Sequence, residues 1–210
     1  MEDAKAIGKV LADFKQIREL NLQNAGLQAS TVKEIADGLM RAKQLEILNL
    51  ADNPSMANKV SAVIYNLAFS PKIRHINVSG LQSSNSDMAE AVMKLIKISG
   101  AIEVLNLMHT KVETHLTQDF FMALGENKTL KYLNMNTTQK ITNTDLIGLL
   151  GKAVAMNAKR NGALEALSIA GWFKDRDSFE RSFILNLQVS DKDHEIWYGD
   201  KKIAKEMSKE

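Results

Sequence analysis

Residues 45–53 read LEILNLADN, and five further stretches of the chain resemble this one. The other stretches are IRELNLQNA from Ile17, IRHINVSGL from Ile73, IEVLNLMHT from Ile102, LKYLNMNTT from Leu130 and LEALSIAGW from Leu164. Positions 1, 4 and 6 are apolar in every copy, and asparagine occupies position 5 in five of the six. Successive copies start 28, 28, 29, 28 and 34 residues apart, so the chain repeats one unit of nearly constant length.

The composition is that of a folded protein without special chemistry. The chain has 210 residues, of which 45% are hydrophobic and 25% charged, and its formal net charge is only +2. A charge this small gives no long-range attraction to nucleic acid or anionic membrane. The absence of cysteine excludes disulfides, thiolate metal sites and a cysteine nucleophile. No apolar run approaches the roughly 20 residues that span a bilayer, and the charged N-terminus is unlike a secretory signal. We therefore expect a cytoplasmic protein, which could also be associated with the cytoskeleton.

Each unit is predicted to contain a short strand, a turn and a helix. The nine-residue stretch supplies the strand, and apolar residues at helical spacing follow it. Thr31 and Glu34 have the spacing of a capping box at the first such helix. In the fifth unit we expect a longer helix from about Thr144 to Ala158. The Asn161-Gly162 pair that follows can supply a left-handed residue that terminates it.

Two terminal segments depart from the repeat, which covers residues 17–172. Residues 1–16 predict a helix that either caps the array or is the remnant of a preceding unit. Six of the twelve aromatic residues lie in the last 39 positions. For residues 173–210 we expect an aromatic-rich C-terminal cap and a charged tail, although the aromatics could instead bind a partner. Within this segment residues 183–189 and 194–198 could form a hairpin, and residues 200–210 a frayed helix or tail.

The units resemble leucine-rich repeats of the ribonuclease-inhibitor-like type, whose pattern is LxxLxLxxNxL followed by a full helix. The resemblance implies an α/β solenoid: a right-handed βα superhelix of about six repeats plus caps, with a curved parallel sheet on its concave face and helices on its convex face. Parallel strands lie about 4.8 Å apart and helices about 8–10 Å, so two such layers must curve. Position 9 departs from the family pattern because only Asn53 supplies its asparagine there. Irregular turns are therefore expected.

The concave face is predicted to carry the residues at positions 3, 5 and 7, because alternate strand residues share a face. Position 5 is a column of asparagines, whose amides could either bond to one another as a ladder or contact a peptide. Positions 3 and 7 place apolar side chains beside this column, which is typical of a protein-binding patch. The candidate partner-binding residues are Ile47, Asn49, His75, Asn77, Val104, Asn106, Met108, Tyr132 and Asn134.

A search for catalytic chemistry finds no candidate. The sequence lacks a glycine-rich phosphate loop, a His-Glu metal motif and a nucleophile elbow. His75 and His109 belong to adjacent strands, but their positions differ by five residues, roughly 16 Å along a strand. We therefore predict no catalytic residues, no metal, no cofactor and no small-molecule substrate.

The sequence thus favours a non-enzymatic scaffold that binds a protein through its concave face or rim, and neither nucleic acid nor membrane. Family analogy suggests two alternatives. Similar repeats form the Ran GTPase-activating proteins, for which Arg18, Arg41 and Arg74 are ambiguous candidate arginines. They also form tropomodulin-like actin-capping domains. A further possibility is a fixed structural subunit of a cytoskeletal or axonemal assembly.

Overall fold

The described part of the chain is an α/β structure built on one sheet. The computed structural model describes residues 16–83, 85–137 and 143–172, residues 6, 9, 10 and 13, and the backbone of residues 195–198 and 201–202. The strands are β1 Glu19–Asn21, β2 Ile47–Asn49, β3 His75–Asn77, β4 Val104–Asn106, β5 Tyr132–Asn134, β6 Ala166–Ser168, β7 Glu195–Tyr198 and β8 Lys201–Lys202. The helices are α1 Val32–Arg41, α2 Ser61–Leu67, α3 Asp87–Ile98, α4 Gln118–Glu126 and α5 Thr144–Lys159.

The strands neighbour one another in chain order from β1 to β8. Strands β1 to β7 are parallel, and β8 is antiparallel to β7. Pairing joins equivalent positions of successive units, so that Asn49 lies between Asn21 and Asn77. The predicted α/β class with a parallel sheet is confirmed.

The hydrophobic core lies between the sheet and the helices. Position 4 of the second to sixth units is buried, and its partly exposed equivalent Leu20 packs against the same core. The helices contribute their apolar stripes to this core, and each helix packs against the next. In α5, Leu146 and Leu149 are only partly buried and pack against the edge of this core. The core side of the sheet is therefore covered by helices, and positions 3 and 5 lie on its other side.

The turns after the strands are supported by three different side chains at position 9. The side chain of Asn53 donates to the carbonyls of Leu22, Leu50 and Ala51 over 2.8–3.0 Å, and accepts from the N–H of Leu27 at 3.0 Å. In the fourth unit the Thr110 hydroxyl donates to the Leu107 carbonyl, the position that Leu50 holds in the second.

Trp172 supplies the same kind of bond in the sixth unit. Its indole Nε1 donates to the carbonyl of Met135, which is at position 6 of the preceding unit. Asn53 donates in the same way to Leu22, position 6 of the unit before it. In four of the units, the backbone N–H at position 9 also donates a hydrogen bond to the carbonyl at position 6 of the same unit. The turns are thus more regular than the missing asparagines suggest, because threonine and tryptophan also supply donors there.

The expected capping box at Thr31 is wrong. Ala29–Thr31 forms a 3₁₀ turn before α1, and the Thr31 hydroxyl donates to the Gln28 carbonyl instead of accepting from the helix. The predictions for α5 are confirmed. It runs from Thr144 to Lys159, and Asn161 after it has a φ of 55°.

The terminal segments are described only in part. Ala6, Lys9, Val10 and Asp13 are helical, as expected, and Ala6 and Val10 are exposed. Strand β7 pairs with β6 and β8. Lys201 and Lys202, for which a frayed helix or tail was expected, form strand β8 antiparallel to β7. The other residues of 200–210 lie outside the described residues. The predicted strand at residues 183–189, and most of the aromatic cap, lie outside the described residues. None of the described helices is long and apolar enough to cross a membrane.

Candidate protein-binding surface

The sheet surface that faces away from the helices, here called the open face, carries the predicted binding residues. At positions 3 and 5 every side chain from β1 to β6 is exposed or half-buried. Position 7 differs, because Ala51 and Ser79 are buried. Strands β1 to β6 contain only three residues each, so strict alternation ends after position 5.

The five asparagines at position 5 form a column whose side-chain oxygens are used by the backbone. In each unit the Oδ1 atom accepts a hydrogen bond from the N–H two residues later, over 3.0–3.1 Å. The asparagines concerned are Asn21, Asn49, Asn77, Asn106 and Asn134. Within the described ranges no hydrogen bond joins two of these asparagines, so the lateral ladder is not formed. The nearest N–H lies in the bend of the same chain, whereas the next strand is about 4.8 Å away.

The sixth unit shows how important this contact is. Its column residue is Ser168, which cannot reach the N–H of Ala170 in the same way. Asn136 of the preceding unit fills the role, since its Oδ1 accepts from Ala170 N at 2.6 Å and from Ser168 Oγ at 2.8 Å. The backbone bend after the strand is therefore stabilised by an amide oxygen even where the column lacks an asparagine.

The amide nitrogens at the centre of the column remain available. Asn49 Nδ2 donates to Gln23 Oε1 at 3.1 Å, and Gln23 Nε2 donates in turn to Asp52. In the described part of the chain, the Nδ2 atoms of Asn77, Asn106 and Asn134 have no protein acceptor. Because Oδ1 is held by the backbone, each Nδ2 is held in place as a donor.

Apolar exposure on the open face is concentrated at one side chain. Tyr132 is 45% exposed, and its hydroxyl donates to Glu165 Oε2 at 2.8 Å. Ile47, Val104 and Met108 are half-buried. They therefore expose less apolar surface than the alternation of strand residues predicts. Their proposed role in binding stays a prediction.

The histidines within the described residues belong to no cluster of metal-binding side chains. His75 is half-buried on β3. His109 lies in the turn after β4 with a φ of 56°. Among the residues that the structure describes, no group of three His, Asp or Glu side chains could hold a metal ion.

A row of alternating charges borders the open face. Position 2, just before each strand, holds Arg18, Glu46, Arg74, Glu103, Lys131 and Glu165. Ion pairs join Arg18 to Glu46 at 3.5 Å, Arg74 to Glu103 at 2.9 Å, and Lys131 to Glu103 at 2.9 Å. Reading position 2 alone along the six copies reveals this alternation.

The ion pairs shift the protonation of two groups in this row. The hydrogen bond from Lys131, and to a smaller extent the charges of Lys131 and Arg74, lower the pKa of Glu103 against the opposing effect of burial. The bond to Glu103 and its charge raise the pKa of Lys131. Both shifts favour the charged forms, so the row carries little net charge near neutrality.

We expect Glu103→Gln to lower the free energy of unfolding by about 0.2–1 kcal/mol near neutral pH, the range measured for exposed ion pairs. Since the folded pKa of Glu103 lies below its unfolded value of about 4.3, its contribution is present above that pH and is lost as the pH falls through the folded pKa. Urea titrations of both proteins at neutral pH and at about pH 3 measure the difference. A difference that grows in acid would contradict this assignment.

Comparison with known proteins yields no assignment: no protein-family model matches the chain, and a search of curated proteins also finds no match.

Proposed function

We propose that the chain is a leucine-rich-repeat solenoid of the ribonuclease-inhibitor-like type, a right-handed βα superhelix with the open face as its concave surface. Two observations support this. Equivalent positions of successive units pair in register along the sheet. Donors at position 9 also bond to carbonyls at position 6 of the same or the preceding unit.

The proposed function is that of a non-enzymatic, cytoplasmic scaffold that binds a protein partner across the open face. The observation that carries the proposal is the row of amide donors at Asn77, Asn106 and Asn134. Side chains that are fixed before binding lose less conformational entropy when a partner arrives. Tyr132 adds a large, half-exposed ring, the kind of residue that is enriched at binding hot spots.

The chemistry of this face favours a partner that presents hydrogen-bond acceptors and an apolar side chain. A protein loop or extended segment offers both, through its main-chain carbonyls and one anchor residue. Polyanions fit less well, because three basic residues of the bordering row, Arg18, Arg74 and Lys131, are already paired with glutamates. The proposed partner is therefore a polypeptide and not a nucleic acid.

The alternative functions gain no specific support from the geometry. Two of the arginines considered for a GTPase activator, Arg18 and Arg74, are paired with glutamates, and Arg41 lies in the last turn of α1. Actin regulation and a fixed structural role likewise remain hypotheses.

The test uses an isosteric change that alters the donors without removing the backbone contact. Asn77→Asp/Asn134→Asp keeps an oxygen for the N–H groups of Ser79 and Asn136, but replaces both amide donors by acceptors. The two positions are separated by two strand spacings, roughly 9.6 Å, which limits their mutual repulsion. A matched control, Gln82→Glu/Gln118→Glu, adds the same charge at two exposed positions outside the open face.

The experiment is affinity capture from the native source with quantitative mass spectrometry, using wild type and both variants as bait. We expect a defined set of proteins to be captured by wild type and control, and to be depleted roughly tenfold or more with the open-face variant. Circular dichroism checks that all three baits are folded. Identical captured sets for the three baits would overturn the proposal.

A further inference from the structure

The helix side of the molecule carries an exposed apolar cluster that the open face does not explain. Met40 in α1, Tyr65 in α2, Phe69 just after α2 and Ile98 at the end of α3 are each 44–60% exposed. The rings of Tyr65 and Phe69 meet edge to face, with centroids 5.9 Å apart. These four residues are here called the helix-side patch. Tyr65 and Phe69 are spaced i, i+4 and lie outside the buried stripe of α2. This spacing is the signal in the sequence for the helix-side patch.

Two grooves join the four side chains into one surface. One groove, with a volume of about 130 Å³, is bordered by Met40, Lys43 and Phe69. The other, of about 570 Å³, runs between α2 and α3 and is bordered by Tyr65, Lys94 and Ile98. Small residues, Ser61, Ala62 and Ala91, line part of the second groove. The patch is therefore a ridge of aromatic rings with a groove on each side.

Lys94 is fixed against the rings. Its ammonium lies 3.7 Å from the Tyr65 ring centroid and 5.4 Å from that of Phe69, and it also donates a hydrogen bond to the Tyr65 hydroxyl. A cation over an aromatic face is attracted by the electron-rich ring. The positive charge is thus held beside the apolar ridge.

Three lysines border the patch. Within the described residues, Lys43, Lys94 and Lys97 form no ion pair, whereas Arg18, Arg74 and Lys131 beside the open face do. Two acidic side chains, Asp87 and Glu90, also border the larger groove and lie in the first turn of α3. The groove between α2 and α3 is therefore basic toward Ile98 and acidic toward the start of α3.

We propose that the helix-side patch is a second binding surface, which takes an acidic amphipathic helix of another protein. Apolar side chains of that helix enter the two grooves and contact Phe69, and its carboxylates pair with Lys43, Lys94 and Lys97. Grooves between packed helices accept the apolar ridge of a further helix. The acidic end of the larger groove fits a helix of defined direction better than a uniformly anionic lipid surface. This site is separate from the proposed function, because the helix layer and the open face lie on opposite sides of the sheet.

The test uses defined probes and the whole chain. The first probe is a fluorescent helical peptide of about 20 residues, with leucine and phenylalanine at i, i+3, i+4 and i+7 and glutamates on the flanks. The second is the same peptide with every glutamate replaced by lysine, and the third is a vesicle of phosphatidylcholine and phosphatidylserine. Fluorescence anisotropy gives the affinity for each peptide, and co-sedimentation measures vesicle binding.

We expect the acidic peptide to bind roughly tenfold or more tightly than the lysine peptide, and Phe69→Ser/Lys94→Glu to weaken its binding by a similar factor. Phe69 is 60% exposed, so this variant should stay folded, which circular dichroism verifies. The open-face variant Asn77→Asp/Asn134→Asp should bind the acidic peptide as wild type does. Lack of binding to the acidic peptide, equal binding of both peptides, no effect of Phe69→Ser/Lys94→Glu, or a preference for the vesicles would each overturn the proposal.

Discussion

Replacing Trp172 with alanine is expected to lower the free energy of unfolding by about 3–5 kcal/mol, the range for truncating a buried tryptophan. The side chain is fully buried and is the largest in the described part of the core. Truncation leaves a cavity among the last described repeats. It also removes the donor to the Met135 carbonyl, which lies 2.7 Å from Nε1. Packing and hydrogen bonding are therefore lost together.

Trp172→Phe separates these two contributions. Phenylalanine keeps an aromatic ring in the site but cannot donate to Met135, so we expect a smaller loss of about 1–2 kcal/mol. Urea denaturation followed by circular dichroism measures both variants against wild type. A loss below about 1 kcal/mol for the alanine variant would contradict a supporting role for this side chain.

Replacing Asn53 with aspartate is expected to cost about 3–5 kcal/mol at neutral pH, more than replacing it with alanine. Asn53 is buried, and its Nδ2 donates to three carbonyl oxygens, those of Leu22, Leu50 and Ala51. Aspartate still offers an oxygen to the Leu27 N–H. Its second oxygen, however, faces three carbonyls and repels them when ionised. Alanine loses the same bonds without introducing a charge.

The pH dependence identifies the cause. Burial against carbonyls disfavours the charged form, so the folded pKa of Asp at position 53 should lie above its unfolded value of about 3.9. The contribution of this one carboxyl to the free energy of unfolding is then fully present below its unfolded pKa, where the protonated carboxyl donates, and is lost as the pH rises through the folded pKa. Denaturation midpoints between about pH 4 and pH 8 should therefore show the deficit of Asn53→Asp growing with pH.

Asn143→Asp provides the matched control. Asn143 caps α5, and its exposed side chain accepts from the Asp145 N–H at 3.0 Å. A carboxylate also accepts this bond and interacts favourably with the helix dipole, by a few tenths of a kcal/mol. The same chemical change should thus be neutral or slightly stabilising here. A pH-independent deficit for Asn53→Asp would show that repulsion is not its cause.

The strands were predictable because their apolar positions directly encode burial. Leu48 and its equivalents are in the core, and their neighbours at positions 3 and 5 are on the open face. The behaviour of position 7 was not predictable from alternation, because the chain bends after three strand residues. Because of that bend, the side-chain oxygen of Asn106 accepts a hydrogen bond from the Met108 N–H and not from a neighbouring asparagine.

The turns and the helix side were harder to predict for a different reason. Asn53, Thr110 and Trp172 have little in common as residue types, yet each donates to a carbonyl at position 6. That equivalence depends on where the donor atom lies in space. Tyr65 and Phe69 could have been noted as aromatics outside the buried stripe, but their contact with Lys94 depends on the packing of α2 against α3.

The alternating charges at position 2 constrain how such a chain can change in length during evolution. Each of the four inner charges has a charge of opposite sign on either side, so deletion or duplication of one internal unit would place two like charges on neighbouring strands. Like charges directly opposite one another destabilise a sheet. Gain or loss of two units at once preserves the alternation. We therefore expect natural length variants to differ by an even number of repeats, or to carry a compensating change of charge at the junction.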